Sequence, residues 1–308
     1  MEYDLIGDIH GQYDRLKSLL EQLGYRYSGT SFRHPDRKAI FLGDLIDRGK
    51  QNKDVIDLVR RMTDNDQATV ILGNHEFNGV CFHSNDPVTG TPLREHSDKN
   101  INQHKTFLHE YPIGDPNTKS VIEWFKSMPL FLELDDFRVV HACWDQTAID
   151  ALKPSLSPQD GLTDDLILSS SNSEDPAYGH VERLLKGPEA RLPDEVQLKD
   201  KSGHPRKELR IKWWELDGPK TYRSLALTRT ELLDLLPDDD ASHIDQPVKY
   251  GADQLPVFFG HYSLCPQSQK PLQALNLVCL DMSGHVDPPI TAYRWGGSSY
   301  EAGQVLVV

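Results

Sequence analysis

The sequence predicts an α/β fold in which two packed sheets are flanked by helices. Two observations carry this. Short apolar runs end abruptly in a metal-ligand type of residue, usually behind a glycine, five times along the chain. Short apolar runs bounded by turn residues read as buried strands. Between the early runs lie stretches with apolar residues at helical spacing, and such alternation of strand and helix marks an α/β unit.

The elements follow in order. Tyr3-Asp4-Leu5-Ile6 is the first strand, and it runs into Gly7-Asp8-Ile9-His10. Residues 13–23 place Leu16, Leu19, Leu20 and Leu23 on one helical face, and Gly24 stands ready as a C-cap. Ala39-Ile40-Phe41-Leu42 leads to Gly43-Asp44. Residues 52–62 put Val55, Ile56, Val59 and Met62 on one side of a second helix. Ala68 to Leu72 leads to Gly73-Asn74-His75, Phe137 to Val140 leads to His141, and Pro256 to Phe259 leads to Gly260-His261. The later runs 277–280, 290–293 and 305–308 have no helices between them and suggest a second, more antiparallel sheet. Residues 80–120 and 150–250 are polar and weakly periodic. Long stretches of that kind are usually functional, and both follow ligand-bearing strand ends. We therefore expect one domain, 1–308, with insertions at about 80–120 and 150–250 covering a site.

Composition excludes several classes. The 308 residues carry 33 Lys and Arg against 47 Asp and Glu, a formal charge of −14. A duplex nucleic-acid binder draws its affinity from positive charge, so that partner is not expected. No apolar run approaches the roughly 20 residues a membrane helix needs. The N-terminal residues show no basic leader, and none of the four cysteines forms a CxxC pair. A cytoplasmic protein with reduced thiols and no membrane partner is the expectation.

The chemistry lies at the strand ends, where open α/β sheets hold their sites. A pair of divalent ions about 3.5–4 Å apart needs a bridging carboxylate with nitrogen and oxygen ligands around it. Asp8 and His10, two apart in an extended chain, suit the first ion. Asp44 can bridge. Asn74, His141 and His261 offer neutral ligands to the second. His75 is left without a metal and suits the role of general acid near neutral pH, with Asp47 to orient it. Arg48 offers a planar fork for a phosphate. The expected reaction is attack of a metal-bridging hydroxide on phosphorus, with His75 protonating the leaving oxygen.

The blocks Gly-Asp-Ile-His-Gly at 7–11, Gly-Asp-Leu-Ile-Asp-Arg-Gly at 43–49 and Gly-Asn-His-Glu at 73–76 resemble the signature of calcineurin-like metallophosphoesterases. The Asp-Arg-Gly ending is similar to the phosphoprotein phosphatase branch, which includes Ser/Thr protein phosphatases and symmetrical diadenosine tetraphosphate hydrolases. His-Ala-Cys-Trp at 141–144 and Gly-His-Tyr at 260–262 look like the two later histidine blocks. The resemblance implies a four-layered fold around a central sandwich of two mixed sheets. It implies two metals, commonly Mn, Fe or Zn, with Mn favoured here. It carries ligand roles onto Asp8, His10, Asp44, Asn74, His141 and His261, the acid role onto His75 and phosphate binding onto Arg48, with Asn74 beside the same phosphate. Ser263 stands where wider relatives have a second histidine, and Lys186-Gly187 stands nearest to the branch's Arg-Gly. That makes Lys186 a candidate phosphate contact, as a point charge rather than a fork.

Other residues read more simply. Asp281 is expected behind a ligand histidine. His83, His104 and His109 read as loop histidines, and Trp213-Trp214 as a strand alternating between core and surface, with a substrate platform as the alternative. The leading functional reading is a phosphomonoesterase acting on a phosphoprotein or a small phosphorylated metabolite. The alternatives are a dinucleoside polyphosphate hydrolase and, from another class, a metal-bound binding module without turnover.

Overall fold

A computed structural model describes the chain except for residues 1, 194–195, 197, 200–204, 215–217, 219, 229, 245–247, 249, 267–268, 285–286 and 298–303. Two five-stranded sheets form its centre. The first has the order Val305–Val307, Thr291–Trp295, Glu2–Ile6, Arg37–Phe41, Ala68–Val70. Its last three strands run parallel, with Leu5 opposite Ile40 and Phe41 opposite Val70. Thr291–Trp295 joins antiparallel, with Leu5 opposite Tyr293. The second sheet has the order Leu272–Ala274, Leu277–Cys279, Val257–Phe259, Arg138–Val140, Phe131–Glu133. Val257–Phe259 is parallel to both neighbours, and the two edge strands are antiparallel.

Both sheets are therefore mixed. The three late runs do not form a sheet of their own: Leu277–Cys279 enters the second sheet, while Thr291–Trp295 and Val305–Val307 extend the first. Thr291–Trp295 returns beside the N-terminal strand, a long-range pairing that local pattern does not encode.

Alternate side chains of the two sheets meet between them. Leu5, Ile40, Leu42 and Ile71 from the first pack with Phe137, Val139, Phe258, Val278 and Leu280 from the second, joined by Tyr293 and Trp295. The Phe137 and Phe258 rings meet edge to face at 5.6 Å, a favoured aromatic geometry. The opposite faces pack against helices in a larger cluster. Tyr13–Gln22 buries Leu16, Leu19 and Leu20, and Asn52–Asp64 buries Val55, Ile56, Leu58, Val59 and Met62. The first helix stops where Gly24 turns left-handed, at φ +96°. Helix, sheet, sheet, helix make four layers.

The two polar stretches are more regular than their sequence suggests. Residues 80–120 carry the helix Asp98–Glu110 and the start of Pro116–Lys126. Residues 150–250 carry Asp164–Ser171 and Pro176–Lys186, then short strands around a small core of Leu192, Leu209, Ile211, Tyr222, Leu225 and Leu236. Trp213 and Trp214 are both buried, at 0% and 4% exposure, so neither the core-and-surface alternation nor a substrate platform describes them. All four cysteines are buried. Among the described residues, no helix is long and apolar enough to cross a membrane.

Candidate metal centre

Parallel strands bring their carboxyl ends to one edge of each sheet, and the two edges meet. Gly7 follows the first strand so closely against Leu280 that a Cβ there would lie 2.2 Å from the Leu280 carbonyl oxygen. Gly260 is equally crowded by Asp8 Oδ1 and Gly43 by the Gly73 backbone. Backbone bonds tie the turns together: Ile9 and His10 both donate to the Asp44 carbonyl, and Gly260 donates to that of His141. His10, Asp44, Asp47, Arg48 and His261 all sit at positive φ, between 48° and 70°. That conformation costs a non-glycine residue free energy, so the surrounding bonds hold these turns in place.

The strands deliver a buried cluster. Asp44 is central. Its Oδ2 lies 3.5 Å from His10 Nε2 and its Oδ1 3.4 Å from His141 Nε2. His10 Nε2 is also 3.8 Å from Asp8. Asn74 Oδ1 lies 3.1 Å from His141 Nε2 and 2.8 Å from His261 Nδ1. Two groups emerge whose ligand atoms lie within 4.8 Å of one another: His10, Asp44 and His75, and Asp44, His141 and His261. Asp44 belongs to both. Asp8 and His10 come together through the turn at His10 and not through extended alternation.

Second contacts fix which ring nitrogen faces inward. His10 Nδ1 donates to the Ile46 carbonyl at 2.9 Å and His141 Nδ1 to that of Leu42 at 2.7 Å. Each ring thus presents a bare Nε2 to the cluster, as a metal-binding imidazole does. His10 Nε2 is buried and has no hydrogen-bond partner among the described residues. Burial holds His10 well below its ordinary pKa, helped by the charge of Arg48; burial and Arg210 do the same to His261. Burial, with Asp281 and Asp44 beside it, pushes Asp8 well above the usual carboxylate range. Neutral imidazoles next to crowded buried carboxylates are what divalent cations relieve, so the donor set fits them.

His75 stands beside this cluster at the start of the helix Asn74–His83. Its Nδ1–H donates to Asp47 Oδ2 at 2.7 Å, and its Nε2 lies 3.9 Å from Asp44. Burial acts to lower its pKa, but Asp44 and Asp47 outweigh it and the ring is held above its ordinary value. Arg48 is exposed at the rim, with Nη1 3.4 Å from Ser283 Oγ. Lys186 differs from expectation in its setting: it ends the helix Pro176–Lys186 with its ammonium paired to Glu182 at 2.6 Å. Among the described residues Asp281 bonds to no histidine ring; it accepts the backbone N–H groups of Ser263 and Ser283.

Sequence reasoning gave three residues no part in the site. Glu76 accepts N–H groups from Gly73, Asp44, Leu45 and Ile46 and so ties two turns together. His104 is not a loop residue: it is buried on Asp98–Glu110, and its Nδ1–H donates to Asp47 Oδ1 at 2.8 Å. Arg210 donates to the His261 carbonyl at 3.1 Å. Glu76 was visible inside the Gly-Asn-His-Glu block, whereas no local pattern marks the other two.

Known proteins resemble this chain, most of them over part of its length. The model of the calcineurin-like phosphoesterase family matches residues 1–244. A protein of Geobacillus thermodenitrificans named bis(5'-nucleosyl)-tetraphosphatase PrpE [asymmetrical] is 45% identical over 148 residues, 46% of this chain and 56% of that protein. The protein of the same name from Halalkalibacterium halodurans is 46% identical over 76 residues, 24% of this chain and 31% of that one. The chain thus spans about half, or less, of the length of these curated relatives. Among solved structures, a protein serine/threonine phosphatase from Saccharomyces cerevisiae aligns with a TM-score of 0.47 at 14% identity, over 100% of this chain and 79% of that one. The match of the family model across residues 1–244 places this chain in the calcineurin-like phosphoesterase family.

Proposed function

We propose that this chain is a dinuclear metal-dependent phosphatase that hydrolyses phosphomonoesters, of a phosphoprotein or of a small phosphorylated metabolite. The observation that carries the reading is Asp44, shared by two buried donor groups, with the His75–Asp47 pair at its side. In this reading Asp8, His10 and Asp44 would hold one divalent ion, and Asp44, Asn74, His141 and His261 would hold the other. Manganese is the first choice, with iron and zinc compatible with the same ligands. When bound, the ions supply positive charge that acidifies water and neutralises phosphoryl oxygens.

The chain's own residues do the rest. Arg48 grips phosphoryl oxygens from the rim with its planar fork, Asn74 sits beside them, and Lys186 adds a point charge. Asp47 accepts from His75 Nδ1, which leaves Nε2 directed at the cluster and favours the protonated ring. As water oxygen bonds to phosphorus and the ester P–O bond breaks, His75 Nε2 gives its proton to the departing oxygen. Domain 1–308 acts as one unit, with residues 80–120 and 150–250 as its cover, and the buried reduced cysteines suit the cytoplasm.

A second reading, hydrolysis of dinucleoside tetraphosphates, is favoured by the activity for which the two bacterial relatives are named. Turnover of phosphopeptide and p-nitrophenyl phosphate against diadenosine tetraphosphate, with manganese, iron, zinc and magnesium in turn, separates the two. In either case His75→Asn should lower kcat by about 10²–10⁴-fold while both metals stay bound. Full activity in that variant removes the acid role. No hydrolysis with any metal leaves only a binding module.

A further inference from the structure

We propose that His104 is a positioning residue for proton donation: it fixes the Asp47 carboxylate so that His75 presents its proton to the leaving oxygen. This rests on the general-acid reading of His75 above and adds a residue to it.

The carboxylate of Asp47 is 2% exposed and receives one ring N–H on each oxygen, His75 Nδ1 on Oδ2 at 2.7 Å and His104 Nδ1 on Oδ1 at 2.8 Å. The two donors come from different helices, Asn74–His83 and Asp98–Glu110. A carboxylate held by a single donor can turn about its terminal torsion, which is soft. Two donors on opposite oxygens fix its plane, and through it the direction of the His75 ring. Asp47 also sits at φ +70°, so its own backbone is not in a resting conformation.

The surroundings of His104 make a purely packing role costly. The ring stacks on Phe107, with centroids 4.6 Å apart, and lies close to Phe82. Gly79 lies alongside it, where even a Cβ would stand at an ordinary contact distance of 3.4 Å from its Cε1. Its Nε2 is buried with no hydrogen-bond partner among the described residues. An unsatisfied buried polar atom costs about 1–3 kcal/mol, and an apolar side chain would fill this aromatic setting without that loss. Among the described residues, the ring's one hydrogen bond is that to Asp47. That bond also helps keep Asp47 ionised: burial would raise its pKa, but the donations from His104 and His75 outweigh burial and bring it to about 2. His104 reaches neither substrate nor ions in this scheme, so its effect must pass through Asp47 and His75.

The role makes a prediction that simple loss of packing does not. Protonation of the departing oxygen matters most for a poor leaving group. The substrates are p-nitrophenyl phosphate, whose phenolate departs with little help, and phenyl phosphate, of nearly the same shape but with a more basic leaving oxygen. In the manganese-loaded full chain, His104→Leu should lower kcat on phenyl phosphate at least about tenfold more than on p-nitrophenyl phosphate. KM should stay within about twofold, because no substrate contact is lost, and metal content should not change. His104→Asn keeps an N–H near the place of Nδ1 and should restore most of the lost rate. His75→Asn, measured alongside, should show the same selectivity to a greater degree. Equal losses on both substrates in His104→Leu, or no loss, overturn the proposal while leaving a selective His75→Asn effect intact. A leaving-group-independent effect of His75→Asn overturns the acid role itself and the proposal with it. Failure of His104→Asn to recover any rate, with an unaltered melting temperature, also overturns it.

Discussion

Glu76 shows how much of the site is held by a side chain that points at backbone. One buried carboxylate accepts four N–H groups: those of Leu45 and Ile46 on Oε1, and those of Asp44 and Gly73 on Oε2. It thereby locks the left-handed turn at Asp44 to the turn before Asn74. Glu76→Gln keeps the shape but sets an NH2 group against two N–H donors. Loss of those bonds inside a closed site should cost about 3 kcal/mol, read by urea denaturation, and should weaken metal binding about 10–100-fold, read by manganese titration. Unchanged metal affinity would separate Glu76 from the ligand turns. Asp44→Asn tests the shared ligand directly. If Asp44 serves both ions, the bound metal should fall well below two per chain and kcat by at least about a thousandfold. Retention of two metals would move the bridge to another residue. At this scale the sequence was highly legible, since ligand types directly after strand ends leave few places for their side chains to go. His104 was illegible because its partner lies 57 residues away and the contact exists only once a helix has packed.

The turns between elements matter as much as the elements. Gly7 joins the first strand to the Asp8 turn and lies directly against the end of the strand Leu277–Cys279, in the other sheet. An added methyl would meet the Leu280 carbonyl and the carbon that bears it at 2.2 and 2.7 Å. Backbone cannot give way as a side chain can, so Gly7→Ala must push the two sheet edges apart. We expect a loss of about 3 kcal/mol, larger than for Gly179→Ala, a mid-helix position with nothing within 4 Å. A melting comparison of the two variants decides it, and equal melting temperatures would contradict the close approach. The strands and the first two helices followed from their periodicity. The helices of the polar stretches did not, because their buried faces are short. Their starts were nevertheless written in the chain: Asp115 and Asp175 cap the following turn, and Pro116 and Pro176 occupy its first position. Asp-Pro before a weakly periodic run is a helix start even where the run looks like a loop.

Across the whole molecule, the chain closes on itself: its first strand lies between a parallel neighbour from the next unit and an antiparallel one from residues 291–295. That closure could not be read from local pattern, because late strands of equal apolarity fit either sheet. Its consequence is a dense group of buried ionisable residues, and this makes stability depend on pH in a definable way. Asp8 is held well above the carboxylate range by burial and by Asp281 and Asp44, and Glu76 is pushed up to about 8 by burial and Asp44. Above the ordinary value of 4.5, the folded state retains protons that the unfolded chain has released, so rising pH costs stability. His75, raised by Asp44 and Asp47 against the effect of burial, acts in the same direction. His10 and His261, lowered by burial, act in the opposite direction, but only until the unfolded histidines have lost their protons near 6.5. Of these groups, only the raised ones act between about 6.5 and 8. Metal-free protein should therefore lose stability over that window. Bound divalent ions offset the burial of charge and the carboxylate repulsion that together cause the loss at Asp8, so the gap in melting temperature between manganese-loaded and chelator-treated protein should widen from pH 6.5 to 8. Scanning calorimetry at fixed ionic strength tests this, and a gap that stays constant or narrows would show that Asp8 does not face the ions.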